Sequence, residues 1–175
     1  MKFLFNKTLE KKINGLKEYR SDVFKDLRGE VWTSYNKKEI KDKDLRKLNF
    51  FHDKFSMNKK NVLRGLHGDS STYKLVSCPY GEVFQVAVDL RKNSSSYGKY
   101  YSTKLSQKNK KSLLIPPGVA NGFLVLSKKS IYHYKLAYKG KYKDFDEQFT
   151  IKFNSPIINI KWPKKNYILS KRDSE

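Results

Sequence analysis

At 175 residues and 38% apolar composition, the chain is long enough for one substantial core, and a single domain over 1–175 is expected. Lys and Arg total 38 against 17 Asp and Glu, a net charge of +21. The excess is mostly lysine, scattered in pairs such as Lys37–Lys38, Lys59–Lys60 and Lys128–Lys129. Without an arginine-rich element, helix-turn-helix, zinc spacing or RNA-sheet signature, it reads as a solvated surface and no nucleic-acid partner is expected. The lone Cys78 excludes an internal disulfide and fits a reducing compartment. The apolar run at the N-terminus stops after Phe5 and no run of 18 apolar residues occurs, so a cytoplasmic protein with no membrane contact is expected.

Taken in chain order, KKEIKDKDLRKLNFF (37–51) predicts a short charged helix. VLRGLHGD (62–69) predicts a strand with Val62, Arg64 and Leu66 on one face and Leu63, Gly65 and His67 on the other. TYKLVSCPYGE (72–82) reads as a strand closed by a Pro–Tyr–Gly turn. GEVFQVAVDL (81–90) alternates Phe84, Val86, Val88 and Leu90 with Val83, Gln85, Ala87 and Asp89, as in a strand with two unlike faces. KSLLIPPGVANGFLVLS (111–127) is strand, Pro–Pro–Gly turn, strand. SIYHYKLAYKGKY (130–142) is a strand placing Tyr132, Tyr134, Leu136 and Tyr138 together, with His133 turned away. KWPKKNYILSKRD (161–173) predicts a turn or two of helix. Short strands with turns at about ten-residue spacing predict an all-β jelly-roll barrel with a few short helices.

The RGLH segment carries a histidine three residues after an arginine, in a chain with only three histidines. On pattern alone a strand histidine such as His67 is more often a satisfied core or edge residue than a functional one. Neither His52 nor His133 forms a His-x-His pair with another histidine, so no metal site is expected.

RGLH followed by YKL, GEVFQVAVDLRK, IPPGVANGFLVLS, YHYK and ILSKRD, in this order and spacing, resembles the dTDP-4-dehydrorhamnose 3,5-epimerase family. The likeness runs from FKDLRGE (24–30) to Asp173. It implies a cupin-type jelly roll, a homodimer, no cofactor, and a nucleotide-diphosphate 4-keto sugar as substrate. A 4-keto group acidifies the C–H bonds at C3 and C5; inversion then needs a base on one face, an acid on the other, and a donor or cation for the enolate. The resemblance makes His67 the base, with Asp173 behind it, Tyr134 the opposite acid and Lys74 the cation near the sugar oxygen. It makes Arg64 a diphosphate contact, and Phe24 and Arg28 nucleotide contacts that an exchanged N-terminal strand brings to a neighbouring subunit. Asn121, His52, Lys54 and Arg172 complete the expected substrate-binding set.

Four departures from the family pattern bear on substrate. Asn121 stands where the family has the histidine of AHGF, and Gly68–Asp69 where it has an aromatic and a glutamine. His52 and Lys54 replace a glutamine and an asparagine. Val31 and Thr33 replace an aromatic and a glutamate in the nucleotide-contacting segment. With DLRGEVW, HDKF, RGLHGD, TYKL, YGEV, YKLAYKGKY and DEQFT, the chain looks like the subgroup acting on GDP-linked 4-keto-heptoses for capsular polysaccharide. Two other readings are a cupin ketoisomerase moving the carbonyl from C4 to C3, and a basic polyanion-binding module without catalysis.

Overall fold

The computed structural model describes residues 12–163 and 166–174. Residues 1–11, with the apolar run to Phe5, and Lys164–Lys165 lie outside the described residues.

Three short strands come first: β1 (Lys17–Arg20), β2 (Val23–Asp26) and β3 (Gly29–Trp32). The predicted helix is confined to α1 (Lys43–Lys47), where the Asp42 carboxylate caps the first turn by accepting from the N–H groups of Asp44 and Leu45. It is short because only Leu45 of its five residues is buried. There follow β4 (His52–Lys59), β5 (Leu63–Gly68), β6 (Tyr73–Tyr80), β7 (Glu82–Asp89), β8 (Tyr100–Ser106), β9 (Lys111–Ile115), β10 (Val119–Val125) and β11 (Lys129–Ala137). A 3-10 turn at Phe145–Glu147, β12 (Phe149–Thr150) and α2 (Lys171–Ser174) end the chain. Of the C-terminal helix expected over 161–173, only this last turn is helical among the described residues.

The strands form two antiparallel five-stranded sheets, ordered β1-β9-β6-β11-β4 and β12-β5-β10-β7-β8, while β2 and β3 pair as a separate hairpin. This is the expected cupin-type jelly roll. Between the sheets Val76, Val83, Ala87, Leu105, Leu113, Ile115, Phe123 and Tyr132 form the central core. The Phe123 and Tyr132 rings stack there at 4.0 Å. Fully burying an apolar side chain of this size contributes about 1.5–3 kcal/mol.

Each sheet is also covered on its outer side. Leu66, Val86, Val88 and Ala120 pack with Ile158 and Ile160 of the C-terminal segment, and Leu75 and Leu114 pack with Ile40 and Leu45. The alternation of 81–90 therefore does not divide a wet face from a dry one. Both faces of β7 are buried, one in each cluster. None of the described helices is long and apolar enough to cross a membrane.

One irregularity sets up the rest of the molecule. His67 pairs with Asn121 and Arg64 with Phe123, so three steps along β5 match two along β10. That extra residue is a β-bulge, and it overturns the expected assignment of Arg64 and His67 to opposite faces. The bulge centres on Gly65, whose φ is +112°. A Cβ there would lie 2.6 Å from both the Asn121 carbonyl oxygen and the Gly122 Cα. Only glycine tolerates this backbone angle together with this approach.

Gly65→Ala is accordingly expected to cost about 2–4 kcal/mol, because the clash is with backbone that no rotamer relieves. Gly98, at φ +74° with nothing within 4 Å of its would-be Cβ, supplies the control. Thermal denaturation should show a fall in Tm of roughly 5–15 °C for Gly65→Ala and a distinctly smaller one for Gly98→Ala. Equal falls would mean that β5 and β10 are not in close approach.

Candidate active site

Because of the bulge, Arg64 and His67 open onto the same pocket of about 260 Å³. The pocket is shared by Lys54 from β4, Lys74 from β6, Asn121 from β10, Tyr134 from β11, and Ser170, Arg172 and Asp173 from the C-terminal turn. The five strands and one turn that supply these groups are spread along the chain from β4 to α2; the barrel mouth is where they converge.

His67 is held from both ring nitrogens. Nε2 lies 2.7 Å from Asp173 Oδ1 and Nδ1 lies 3.0 Å from the Thr150 hydroxyl. Thr150 faces His67 directly across the β12–β5 pair. Asp173 is fixed in turn: Oδ2 accepts from the Ser170 hydroxyl at 2.8 Å and Oδ1 from the Gly65 N–H at 3.4 Å. Its segment is laced to β5 by backbone bonds from Leu63 N–H to the Ile168 carbonyl and from Ile168 N–H to the Asn61 carbonyl. Burial pushes the Asp173 carboxyl up, but the hydrogen bonds from His67 and Ser170 outweigh it and hold it below the ordinary value.

An ionised Asp173 requires the proton of neutral His67 to sit on Nε2, leaving the lone pair on Nδ1. The Thr150 hydroxyl already accepts from Arg172 Nε at 3.0 Å, so its own proton is available to Nδ1. Asp69, the other carboxylate near this histidine in sequence, turns instead to the Ser71 and Thr72 backbone.

Tyr134 lies on β11, with its ring edge-on to Tyr132 at 4.7 Å. Burial raises its phenol well above the ordinary value, with the nearby Arg64 guanidinium pulling the other way. Lys74 is almost fully buried, and burial pushes its ammonium down to about 8 despite the opposing pull of Asp69. Arg64 is oriented by a 2.8 Å bond from Nε to Asn58 Oδ1. Arg172 lies over the Phe145 ring, 4.3 Å from its centroid, and donates to the Gln148 carbonyl.

Asn121 is oriented by a buried chain that sequence patterns did not single out. Tyr132 OH donates to Gln85 Oε1 at 2.5 Å, and Gln85 Nε2 donates to Asn121 Oδ1 at 2.7 Å. With its oxygen engaged inside the barrel, Asn121 presents its amide N–H groups to the pocket. Gln85 and Thr150 belong to quoted segments, but only tertiary contact distinguishes them. Tyr142 and Gln148, also within quoted segments, and Phe145 line the pocket without having been singled out by the sequence.

Three expected contacts are not brought to this pocket by the chain. His52 stands behind it, 3.1 Å from Tyr138 OH and edge-on to the Tyr142 ring. Phe24 and Arg28 lie on the β2–β3 hairpin, where Phe24 is half-exposed and Arg28 is tied to Asp26 at 2.6 Å. The hairpin packs as its own two-stranded sheet, and its sequence neighbours do not reach the barrel mouth. His133 does turn away, to Asp53 at 2.7 Å and a stacked Phe55. Among the described residues no group of three or more His, Cys, Asp or Glu is placed to hold a metal.

The arrangement is a base-competent imidazole and a phenol on one cavity, with cations and an amide donor between them. The family model described as dTDP-4-dehydrorhamnose 3,5-epimerase matches residues 10–175. A dTDP-4-dehydrorhamnose 3,5-epimerase from Shigella flexneri is 42% identical over 158 residues, covering 89% of this chain and 86% of the relative. A dTDP-6-deoxy-D-glucose-3,5-epimerase from Legionella pneumophila, solved with dTDP-4-keto-L-rhamnose, superposes with a TM-score of 0.85 at 36% identity. That match covers 93% of this chain and 87% of the other. A 4-keto-6-deoxy sugar epimerase from Streptomyces spheroides gives a TM-score of 0.88 at 26% identity, covering 100% of this chain and 86% of that one.

The tautomer of His67 is directly measurable. Its ¹⁵N chemical shifts at mildly alkaline pH should report a protonated Nε2 and a bare Nδ1. In Asp173→Asn both tautomers should be populated, since the anion that selects one is gone. A wild-type ring protonated on Nδ1 would contradict the arrangement.

Proposed function

Because the chain belongs to the dTDP-4-dehydrorhamnose 3,5-epimerase family and is a nucleotide-sugar 3,5-epimerase, we propose that it inverts C3, C5 or both of a nucleotide-diphospho-4-keto sugar through His67 and Tyr134. The observation carrying this reading is that the Asp173-backed imidazole and the phenol open onto one cavity.

In this mechanism the 4-keto sugar lies between the two groups. His67 Nδ1, released from Thr150, takes the proton from the carbon next to the carbonyl. The electron pair of the broken C–H bond moves into the C–C bond and the carbonyl π electrons move to oxygen, giving the enolate. Tyr134 then delivers its proton to the opposite face of that carbon as the enolate electrons return and the carbonyl re-forms; the phenolate regains a proton from solvent and the His67 imidazolium releases its proton to solvent. The raised phenol value keeps Tyr134 protonated until this step. Asp173 remains ionised and steadies the imidazolium, while Lys74 and the Asn121 amide attend the enolate oxygen. Arg64, Lys54 and Arg172 offer the donors and positive charge that a diphosphate requires.

The nucleotide end is the part the chain does not complete alone. The half-exposed Phe24, with Arg28 at the hairpin tip, suits a contact made across a homodimer, each hairpin reaching its partner's barrel. The Shigella and Legionella relatives act, by their names, on dTDP-linked sugars, and a dTDP-linked 4-keto-6-deoxy sugar is the first substrate to test. A GDP-linked 4-keto-heptose of capsular polysaccharide synthesis is the second. Val31 and Thr33 favour it, because threonine cannot replace a carboxylate that reads a base edge. Asn121 favours it too, held by Gln85 as a donor that exchanges no proton.

Incubation in D₂O with each ketosugar, followed by NMR, is the test. Wild-type protein should place deuterium at C3, C5 or both of its true substrate and leave the ketone at C4. His67→Asn should slow exchange by about 10²- to 10⁴-fold, whereas Tyr134→Phe should still exchange without inverting. Full exchange by His67→Asn would remove His67 as the base, and a ketone relocated to C3 would make the enzyme a ketoisomerase.

A further inference from the structure

Asp69 stands two positions after His67, and no step above uses it. Its side chain is fully buried. Oδ1 is saturated by Ser71 N–H at 2.8 Å, Ser71 Oγ at 2.9 Å and Thr72 N–H at 2.7 Å. The residue is pinned further by its carbonyl, which accepts from Gly118 N–H at 2.8 Å. Oδ2, by contrast, finds no hydrogen-bond partner among the described residues and lies 3.9 Å from Lys74 Nζ. A buried carboxylate oxygen left without a donor is costly unless a charge faces it.

We propose that Asp69 is the positioning residue of Lys74: a rigid turn aims its free oxygen at Nζ and thereby keeps that ammonium charged and directed into the pocket. The inference rests on the role given to Lys74 above, and Asp69 itself touches no substrate.

The surroundings explain why a counter-charge is needed. Lys54 on β4 and Arg172 on α2 both repel the Lys74 charge, and burial acts in the same direction as they do. The residues flanking Lys74 in register, Leu136 on β11 and Ile115 on β9, carry no charge. Arg64, His67, Asp173, Tyr134, Tyr142 and Asp144 complete the charged and titratable groups around the same cavity. Of all these, Asp69 is the group whose attraction opposes the loss of the proton from Lys74. The sign follows directly. Lys74 is a cation whose folded value is depressed, so its charge is present at low pH and is lost as pH rises through about 8. Removing Asp69 must move that loss to lower pH.

The test is an NMR titration of the Lys74 side chain, paired with the pH profile of substrate deuterium exchange, in wild type and Asp69→Asn. The asparagine keeps Oδ1 as the acceptor for Ser71 and Thr72 and replaces the anionic Oδ2 facing Lys74 with a neutral amide nitrogen. The Lys74 inflection is expected to fall by about one unit or more. The alkaline limb of exchange should move with it, with KM altered less than about threefold and the acidic limb unmoved. An unmoved Lys74 inflection, or a uniform loss of rate at every pH, would overturn the proposal. If Asp69→Asn does not fold, the wild-type Asp69 carboxyl ¹³C shift decides. It should inflect at the pH where Lys74 titrates, and a flat trace there refutes the pairing. Should no ketosugar exchange at all, the functional reading fails while the titration still reports on Asp69 and Lys74.

Discussion

The molecule is organised by the close passage of β5 over β10 at Gly65 and Gly122. Backbones this close leave no room for a side chain, and the extra residue on β5 is absorbed as a bulge. In a regular strand, residues three apart face opposite ways. Here the bulge cancels one step, so Arg64 and His67 reach the same cavity while Leu66 between them is buried against Val86 and Val88. The same kink presents the Gly65 N–H to Asp173, which anchors the chain end beneath the imidazole. Strand geometry, core packing and the candidate chemistry therefore meet at one glycine.

Electrostatics then divides the large positive charge into two populations. Pairs such as Lys25–Glu30 and Lys104–Glu82 lie on the surface, where each contributes little to stability. Lys74, Arg64, Lys54 and Arg172 instead converge on a single cavity, with Lys74 buried in its wall and the other three nearer its opening. Such a cluster is suited to an anionic small molecule rather than to the long backbone of a nucleic acid, whose recognition needs charge spread along a groove. The acids Asp173 and Asp69 do not neutralise the cavity. Asp173 holds an imidazole, and Asp69 faces a lysine from within the wall.

A third layer of order is neutral. Tyr132, Gln85 and Asn121 run from the core to the pocket wall as a chain of donors and acceptors, each buried and each hydrogen-bonded to the next. Buried polar groups cost free energy unless paired, so the pairing also fixes which end of the Asn121 amide faces the substrate space. The aromatic stack of Phe123 on Tyr132 holds that chain in place from the core side.

Much of the barrel was legible in the sequence, because strand alternation and Pro–Pro–Gly or Pro–Tyr–Gly turns are set by neighbouring residues. The strands of 72–82, 81–90, 111–127 and 130–142 follow from such patterns, and RGLH, YKL, YHYK and ILSKRD located the groups now found around one cavity. The charged N-terminal strands, the length of α1 and the irregular run before α2 carried no comparable pattern; packing against the sheets decides them. What only the tertiary structure decided is how segments meet: the bulge that reunites Arg64 with His67, and the places of Thr150, Gln85 and Tyr142. His67 and Asp173 are 106 residues apart. Their contact depends on the register between distant strands, and register is a property of pairs that no single stretch of chain contains.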